Sequence, residues 1–186
     1  MSTTDPTLYY VIGAIVVIAI VIVVAIMVAR RAQSERLRRR FGPEYERVAR
    51  ARGDRAEAER ELARREERVK KFRLQELPPG ARERYAEEWR AVQARFVDQP
   101  KEALAEADAL ISNVMRDRGY PLADFEQRAA DLSTDHAGVL DDYRIAHAIS
   151  LRSERGDAQT EDLRQAMLHY RTLFEELVEN RERARS

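Results

Sequence analysis

Residues Leu8 to Ala29 read LYYVIGAIVVIAIVIVVAIMVA, 22 positions without a charged side chain, and Arg30 and Arg31 follow directly. As a helix this run covers about 33 Å, enough to cross a hydrocarbon core of about 30 Å. It is apolar on every side, whereas a core helix of a water-soluble protein normally keeps a polar stripe. A cleavable signal needs a basic start, a shorter apolar core and a small-x-small cleavage site. The leading MSTTDPT has Asp5 and no Lys or Arg, and the end of the run offers Ala25 and Ala29 but no A-x-A. Residues 8–29 are therefore expected to be a retained transmembrane helix, preceded by a short extracytoplasmic stub over residues 1–7.

The flanks orient the span, because cytoplasmic flanks carry the excess of Lys and Arg. Arg30, Arg31, Arg36, Arg38, Arg39 and Arg40 stand against the single acid Glu35. The carboxyl-terminal part is thus expected in the cytoplasm at the plasma membrane, with these six arginines touching anionic lipid headgroups. Such attraction is about 1 kcal/mol per cation close to the surface and fades within a Debye length. Tyr9 and Tyr10 at the other end suit the outer headgroup boundary.

Beyond the span 157 of the 186 residues remain, a length that fits one compact domain and a linker. The chain has no cysteine, which removes disulfides, thiolate metal ligands, thiol nucleophiles and palmitoylation together. Residue 2 is Ser, so the amino-terminal glycine needed for myristoylation is missing. Only Lys70, Lys71 and Lys101 are lysine among 33 basic residues, a bias toward Arg that hints at a GC-rich bacterial genome.

The net charge of zero conceals a division. Residues 30–73 hold 17 basic and 9 acidic side chains, and residues 74–186 hold 16 basic and 23 acidic ones. In RAEAERELARREERVKK the signs alternate, the pattern of a solvated helix laced with ion pairs. The interleaved acids would repel phosphates, and no aromatic residue between Tyr45 and Phe72 could stack on a base, so nucleic acid is not an expected partner.

Helix signals run through the rest of the chain. The first helix should continue to about Arg40 and break at Phe41, Gly42 and Pro43. Gly53 breaks the chain again, and Asp54 with Glu57 forms a capping box for a very polar helix from Arg55 to about Phe72. Its few apolar residues, Leu62 and Val69, predict a solvent-exposed spacer. After Leu77–Pro78–Pro79–Gly80, Tyr85, Trp89, Val92 and Phe96 recur along one helical face. Asp98 can cap a helix carrying Leu104, Ala107, Ile111, Val114 and Met115, which Gly119 ends. Pro121 can open a short helix with Leu122, Phe125, Ala129 and Leu132. Ser133 or Asp135 can cap the next, with Val139, Leu140, Tyr143, Ala146 and Ile149 inward, and Gly156 stops it. Thr160 can cap the last, with Leu163, Met167, Tyr170, Phe174 and Leu177 inward.

The expected fold is therefore all-α. An N-terminal transmembrane helix leads into a basic, charged helical stalk or linker over residues 30–76. A cytoplasmic bundle of about five helices follows over residues 77–180, and a polar tail over residues 181–186.

The search for chemistry returns absences. No G-x-S-x-G elbow, no G-x-G or G-K phosphate loop and no H-E-x-x-H are present. The residues three before His136, His147 and His169 are Ser133, Arg144 and Ala166, so the E-x-x-H pairing of di-iron bundles is missing. No cofactor or metal is expected, and no enzymatic activity. His147 and His169 can instead be structural, bonded to Asp141 or Asp142. If a buried site exists, Tyr143, His147 and Tyr170 would form it.

Three segments, RFGPEY at Arg40 to Tyr45, DFEQRAADLS at Asp124 to Ser133 and EDLRQ at Glu161 to Gln165, resemble signatures of an uncharacterised family of bacterial proteins with one amino-terminal span. The similarity runs from about Arg40 to Leu177. It implies a bacterial origin and membrane attachment, and it implies no activity, cofactor or catalytic residue.

In DFEQRAADLS, Phe125, Ala129 and Leu132 share one face. Asp124, Glu126, Gln127, Arg128 and Asp131 could then present a polar docking surface to another protein. The expected function is a non-catalytic scaffold that recruits protein partners, a second copy among them, to the inner face of the membrane. The alternatives are a bundle that binds or hydrolyses a small ligand, and the same bundle exported and facing outside.

Overall fold

The computed structural model describes residues 6–121 and 123–179; within its first helix the side chains of residues 6–12 and of residue 14 lie outside the description. The placements expected for the Tyr9, Tyr10 and Leu122 side chains and for the tail therefore fall outside it. Every regular element described is helical.

The first helix, α1, runs unbroken from Pro6 to Phe41, so the apolar run and the arginine-rich exit are one rod. Part of it is long and apolar enough to cross a membrane, and none of that stretch is buried. Ile15 through Met27 expose about half or more of each large side chain. Gly42, at φ 49, turns the chain, and Pro43 opens α2 (Pro43–Arg52) at a position where its missing N–H costs nothing. Gly53 ends α2 in the left-handed conformation, and the Asp54 side chain accepts from the Ala56 N–H to start α3 (Arg55–Val69).

These three helices fold on one another. Ser34 bonds Glu59, while Arg36 and Arg40 reach Glu66, so α3 runs parallel to α1. Glu44 meets Arg65 and Arg52 meets Glu57, so α2 runs back between them in the opposite sense. Leu37, Phe41, Tyr45, Val48, Ala58 and Leu62 close a small core of their own. The expectation of a solvent-exposed spacer over residues 55–72 is thereby corrected. Ala58, Leu62 and Val69, spaced four and seven apart, form a buried stripe whose charged flanks are long enough to reach water. The segment 30–76 is accordingly no loose linker.

A connection over residues 70–80 leads to the bundle. It lies against the end of α5 (Pro100–Asp117), where the Gln75 N–H donates to the Arg118 carbonyl. Gly119 (φ 90) sits under it, and a Cβ there would collide with the Arg73 carbonyl. α4 (Ala81–Phe96) packs antiparallel to α5, with the Tyr85 hydroxyl on Asp117 at one end and Arg95 on Glu106 at the other. α6 (Phe125–Leu132) is short. Its cap is Asp124, which accepts from the Gln127 N–H, so the helix starts four residues after the Pro121 opening the sequence suggested. A 3-10 turn, Ala137–Val139, leads into α7 (Leu140–Glu154). α8 (Thr160–Glu179) is antiparallel to α7 and parallel to α5, and Trp89 of α4 stacks on its Phe174 at 4.7 Å. All five apolar stripes read from the sequence converge in this second, larger core.

Candidate functional site

The feature that organises the molecule is a belt of ion pairs where the α1–α3 unit meets the bundle. Glu44, only 4% exposed, receives both guanidinium nitrogens of Arg144 at 2.6 and 2.8 Å and Arg65 at 2.9 Å. Burial alone would push the Glu44 carboxyl up, but the two arginines outweigh it and hold the carboxyl below its ordinary range. Glu66, equally buried, takes Arg36 in a two-pronged bond at 2.8 and 3.0 Å and Arg40 at 3.2 Å, with the Lys70 ammonium at 3.4 Å. Its carboxyl is also lowered, burial again being overcome by Arg36 and then Arg40. Arg40 extends the belt to the Thr134 carbonyl and Asp135, and Arg68 reaches Asp131 of α6 at 2.9 Å.

Buried carboxylates of this kind hold their arginines in fixed geometry, because removing one partner leaves an uncompensated charge away from water. α2 is thus tied to α7, α3 to α6, and the end of α1 to the turn before the 3-10 segment. The belt couples the α1–α3 unit to the bundle at three places.

This arrangement redistributes the residues expected to touch lipid. Arg36 and Arg40 face Glu66, Arg38 lies over the Tyr45 ring and near Glu46, and Arg39 pairs with Glu35. Among the described residues only Arg30 and Arg31 of those six have no carboxylate within 4 Å. Both are exposed at the end of the apolar run.

The expected docking surface is also taken apart. Asp131 is 1% exposed and engaged by Arg68 and Gln127. Arg128 points inward, bonded to Ser112 and near Asp108 and the Tyr143 ring. Gln127 spends its amide on Asp131, while Asp124, the cap of α6, and Glu126 stay exposed. Because α6 packs against both α3 and α7, Asp131 and Arg128 meet protein rather than solvent, and the expected five-residue surface is not continuous.

Tyr143, His147 and Tyr170 do come together, as packing. The Phe125 ring stacks on His147 at 3.6 Å and leans on Tyr143 at 4.9 Å, and the Tyr170 hydroxyl donates to Asp108 at 3.1 Å. Burial raises both tyrosines far above their ordinary value and lowers His147. The stacked His147 and Phe125 rings are half-buried beside the core. The carboxylate partner foreseen for the histidines is found at His169, whose Nδ1 lies 2.6 Å from Asp142, while His136 meets Glu176 at 2.9 Å.

The sequence reading overlooked Glu44, Arg65, Glu66, Arg68 and Arg144. One clue was available: on α3 the stripe Ala58, Leu62, Val69 places Glu66 on the buried side. The other half of the belt lies about a hundred residues away and has no local signature.

No protein family, curated protein or solved structure matches this chain. Its function has to be read from geometry.

Proposed function

We propose that the chain is a single-span membrane protein that holds a non-catalytic helical bundle at a fixed height and rotation beside the inner face of the plasma membrane, where the bundle recruits protein partners. The observation that carries this reading is the unbroken helix from Pro6 to Phe41, whose apolar part is wholly exposed and whose foot is tied to the bundle through Arg40, which reaches the Thr134 carbonyl and Asp135. A flexible tether would let the bundle wander over a wide volume. A rod ending in paired arginines does not. The orientation follows from the arginine-rich exit, by the charge bias of cytoplasmic flanks.

Two measurements test the reading. A carboxyl-terminal reporter active only in the cytoplasm should give signal, and one active only after export should stay silent; the reverse pattern would place the bundle outside. Cross-linking of the full chain in intact cells should then capture a reproducible protein, a second copy included. Capture of lipids alone would count against recruitment.

A further inference from the structure

The return of α2 toward the span carries α3's first residues to the level at which α1 leaves the apolar run. Since Ser34 bonds Glu59 and the two helices are parallel, Arg55, four residues before Glu59, lies level with Arg30, four before Ser34. Between α1 and the start of α3 is a groove of about 300 Å³ lined by Arg30, Arg31, Ser34, Arg38, Arg55 and Glu59, with Glu35 and Tyr45 completing its wall. A second groove, of about 420 Å³, opens on the other side of Arg30 and adds Arg60.

The charges in the first groove do not cancel. The Glu59 carboxylate accepts from the Tyr45 hydroxyl at 2.8 Å and from Ser34, and Glu35 is turned to Arg39. Arg38 has Glu46 beside it. Arg30, Arg31 and Arg55 have no carboxylate within 4 Å among the described residues, and all three are exposed. Three guanidinium groups without a carboxylate partner thus share the groove with two carboxylates, Glu59 and Glu35, that are already engaged. Guanidinium forks match phosphate oxygens two at a time, which makes arginine the fitting side chain for such an anion.

Depth identifies the source of the anion. The polar zone of one leaflet is about 5 to 8 Å thick beyond the hydrocarbon. Arg30 is the first residue after the apolar run, and Ser34 is about 6 Å further along the helix. The mouth of the groove therefore sits at phosphate depth whenever the span sits in a bilayer. We infer that the groove between α1 and the start of α3 seats the phosphate of one anionic phospholipid from the leaflet at which the span exits. This inference rests on the membrane reading above. It places lipid contact at Arg30, Arg31 and Arg55 rather than along the six arginines of residues 30–40. The bound headgroup would bridge the rod to α3 and stiffen the junction from its membrane side.

The test uses the full chain reconstituted in phosphatidylcholine membranes, with spin-labelled phosphatidylglycerol and phosphatidylcholine compared for association with the protein. The wild type should prefer phosphatidylglycerol. Arg31→Gln with Arg55→Gln should lower that preference by about fivefold per arginine removed, with unchanged helix content by circular dichroism. Glu59→Gln, which keeps the bonding atoms and removes the opposing charge, should raise it. Arg90→Gln with Arg155→Gln, exposed positions on the bundle, should leave it unchanged. Equal association of the two lipids with the wild type, or equal loss in the bundle variant, overturns the site. So does loss of the preference on adding inorganic phosphate but not chloride at equal ionic strength, which would make the groove a free-anion site. A chain that alkaline carbonate strips from the membranes overturns the membrane reading itself, whereas a chain that stays inserted without lipid preference overturns only the groove.

Discussion

The two halves of this molecule outside the apolar rod are held together by different means. The distal bundle, α4 to α8, encloses an apolar core to which every one of its helices contributes, including Trp89, Tyr143, Tyr170 and Leu173. The proximal unit, formed by the end of α1 with α2 and α3, has a cluster of only six buried apolar residues, with Val69 buried apart from it, and depends on arginine–carboxylate pairs for its attachment. Apolar burial is non-directional, and it tolerates substitution as long as volume is kept. Paired buried charges are directional and fail abruptly when one member is lost. The bundle is therefore held mainly by volume and the proximal unit mainly by direction.

The largest effect should come from the bundle core. Leu173, fully buried on α8, should cost about 4 kcal/mol when cut to Ala, since both the transfer term and the cavity count. Trp89 is the only tryptophan, so its fluorescence during denaturant unfolding reports the bundle directly. Next in size is Glu44→Ala, which takes from Arg65 and Arg144 their shared buried partner, leaves them Glu61 and Asp141, and should cost about 3 kcal/mol. The comparison predicts where that loss appears. Amide exchange should quicken in α2 and α3 while the Trp89 transition stays in place. A Trp89 transition shifted as far as in Leu173→Ala would mean that the two halves unfold as one.

Acid should separate the halves in the same order. Glu44 and Glu66 have folded-state values below the ordinary 4.5, so their contribution is fully present above that value and is lost as pH falls through the lowered ones. Between neutral pH and about 5 the junction should be insensitive to pH. Below about 4 the exchange of α2 and α3 amides should rise before Trp89 fluorescence changes, and simultaneous change would break the distinction.

Gly119→Ala tests the connection between the halves. Its φ of 90 and the Arg73 carbonyl beneath it leave no room for a methyl group, and the loss should be at least about 2 kcal/mol by thermal unfolding. Gly53→Ala, equally left-handed but open, should cost less.

The distal half was legible because its information is local. Spacings of three and four among Tyr85, Trp89, Val92 and Phe96, and again from Leu163 to Leu177, state a buried face without reference to any partner. Pro43, Gly53, Gly119 and Gly156 mark ends that the backbone respects. The proximal half was misread for the same reason. A stripe of Ala58, Leu62 and Val69 in a helix of Glu and Arg looks too thin to bury, and it is completed by Tyr45 and Val48 of α2 with Leu37 and Phe41 at the foot of α1, a convergence no local spacing states. The residues of DFEQRAADLS read as an open polar surface because nothing near them in the chain discloses that Arg68 covers Asp131. Of the six arginines in residues 30–40, sequence could not tell which two lack a carboxylate partner.

The smallest effects sharpen the contrast between the halves most directly, because they hold the mutated residue constant and vary its partner. Arg171 of the bundle and Arg36 of the rod are about equally exposed, at 52% and 56% of the side chain, and each contacts one glutamate. Glu175 is itself 46% exposed, so water screens the pair and replaces it when Arg171 is removed. Arg171→Ala should change stability by less than about 0.5 kcal/mol. Glu66 is 3% exposed, and after Arg36→Ala it keeps Arg40 and Lys70 but loses its two-pronged bond. That loss should be about 1 kcal/mol, below the Glu44 effect because two cations remain. Exchange of α3 amides measures it, and equal values for the two arginines would show that burial of the partner does not decide what an arginine contributes here.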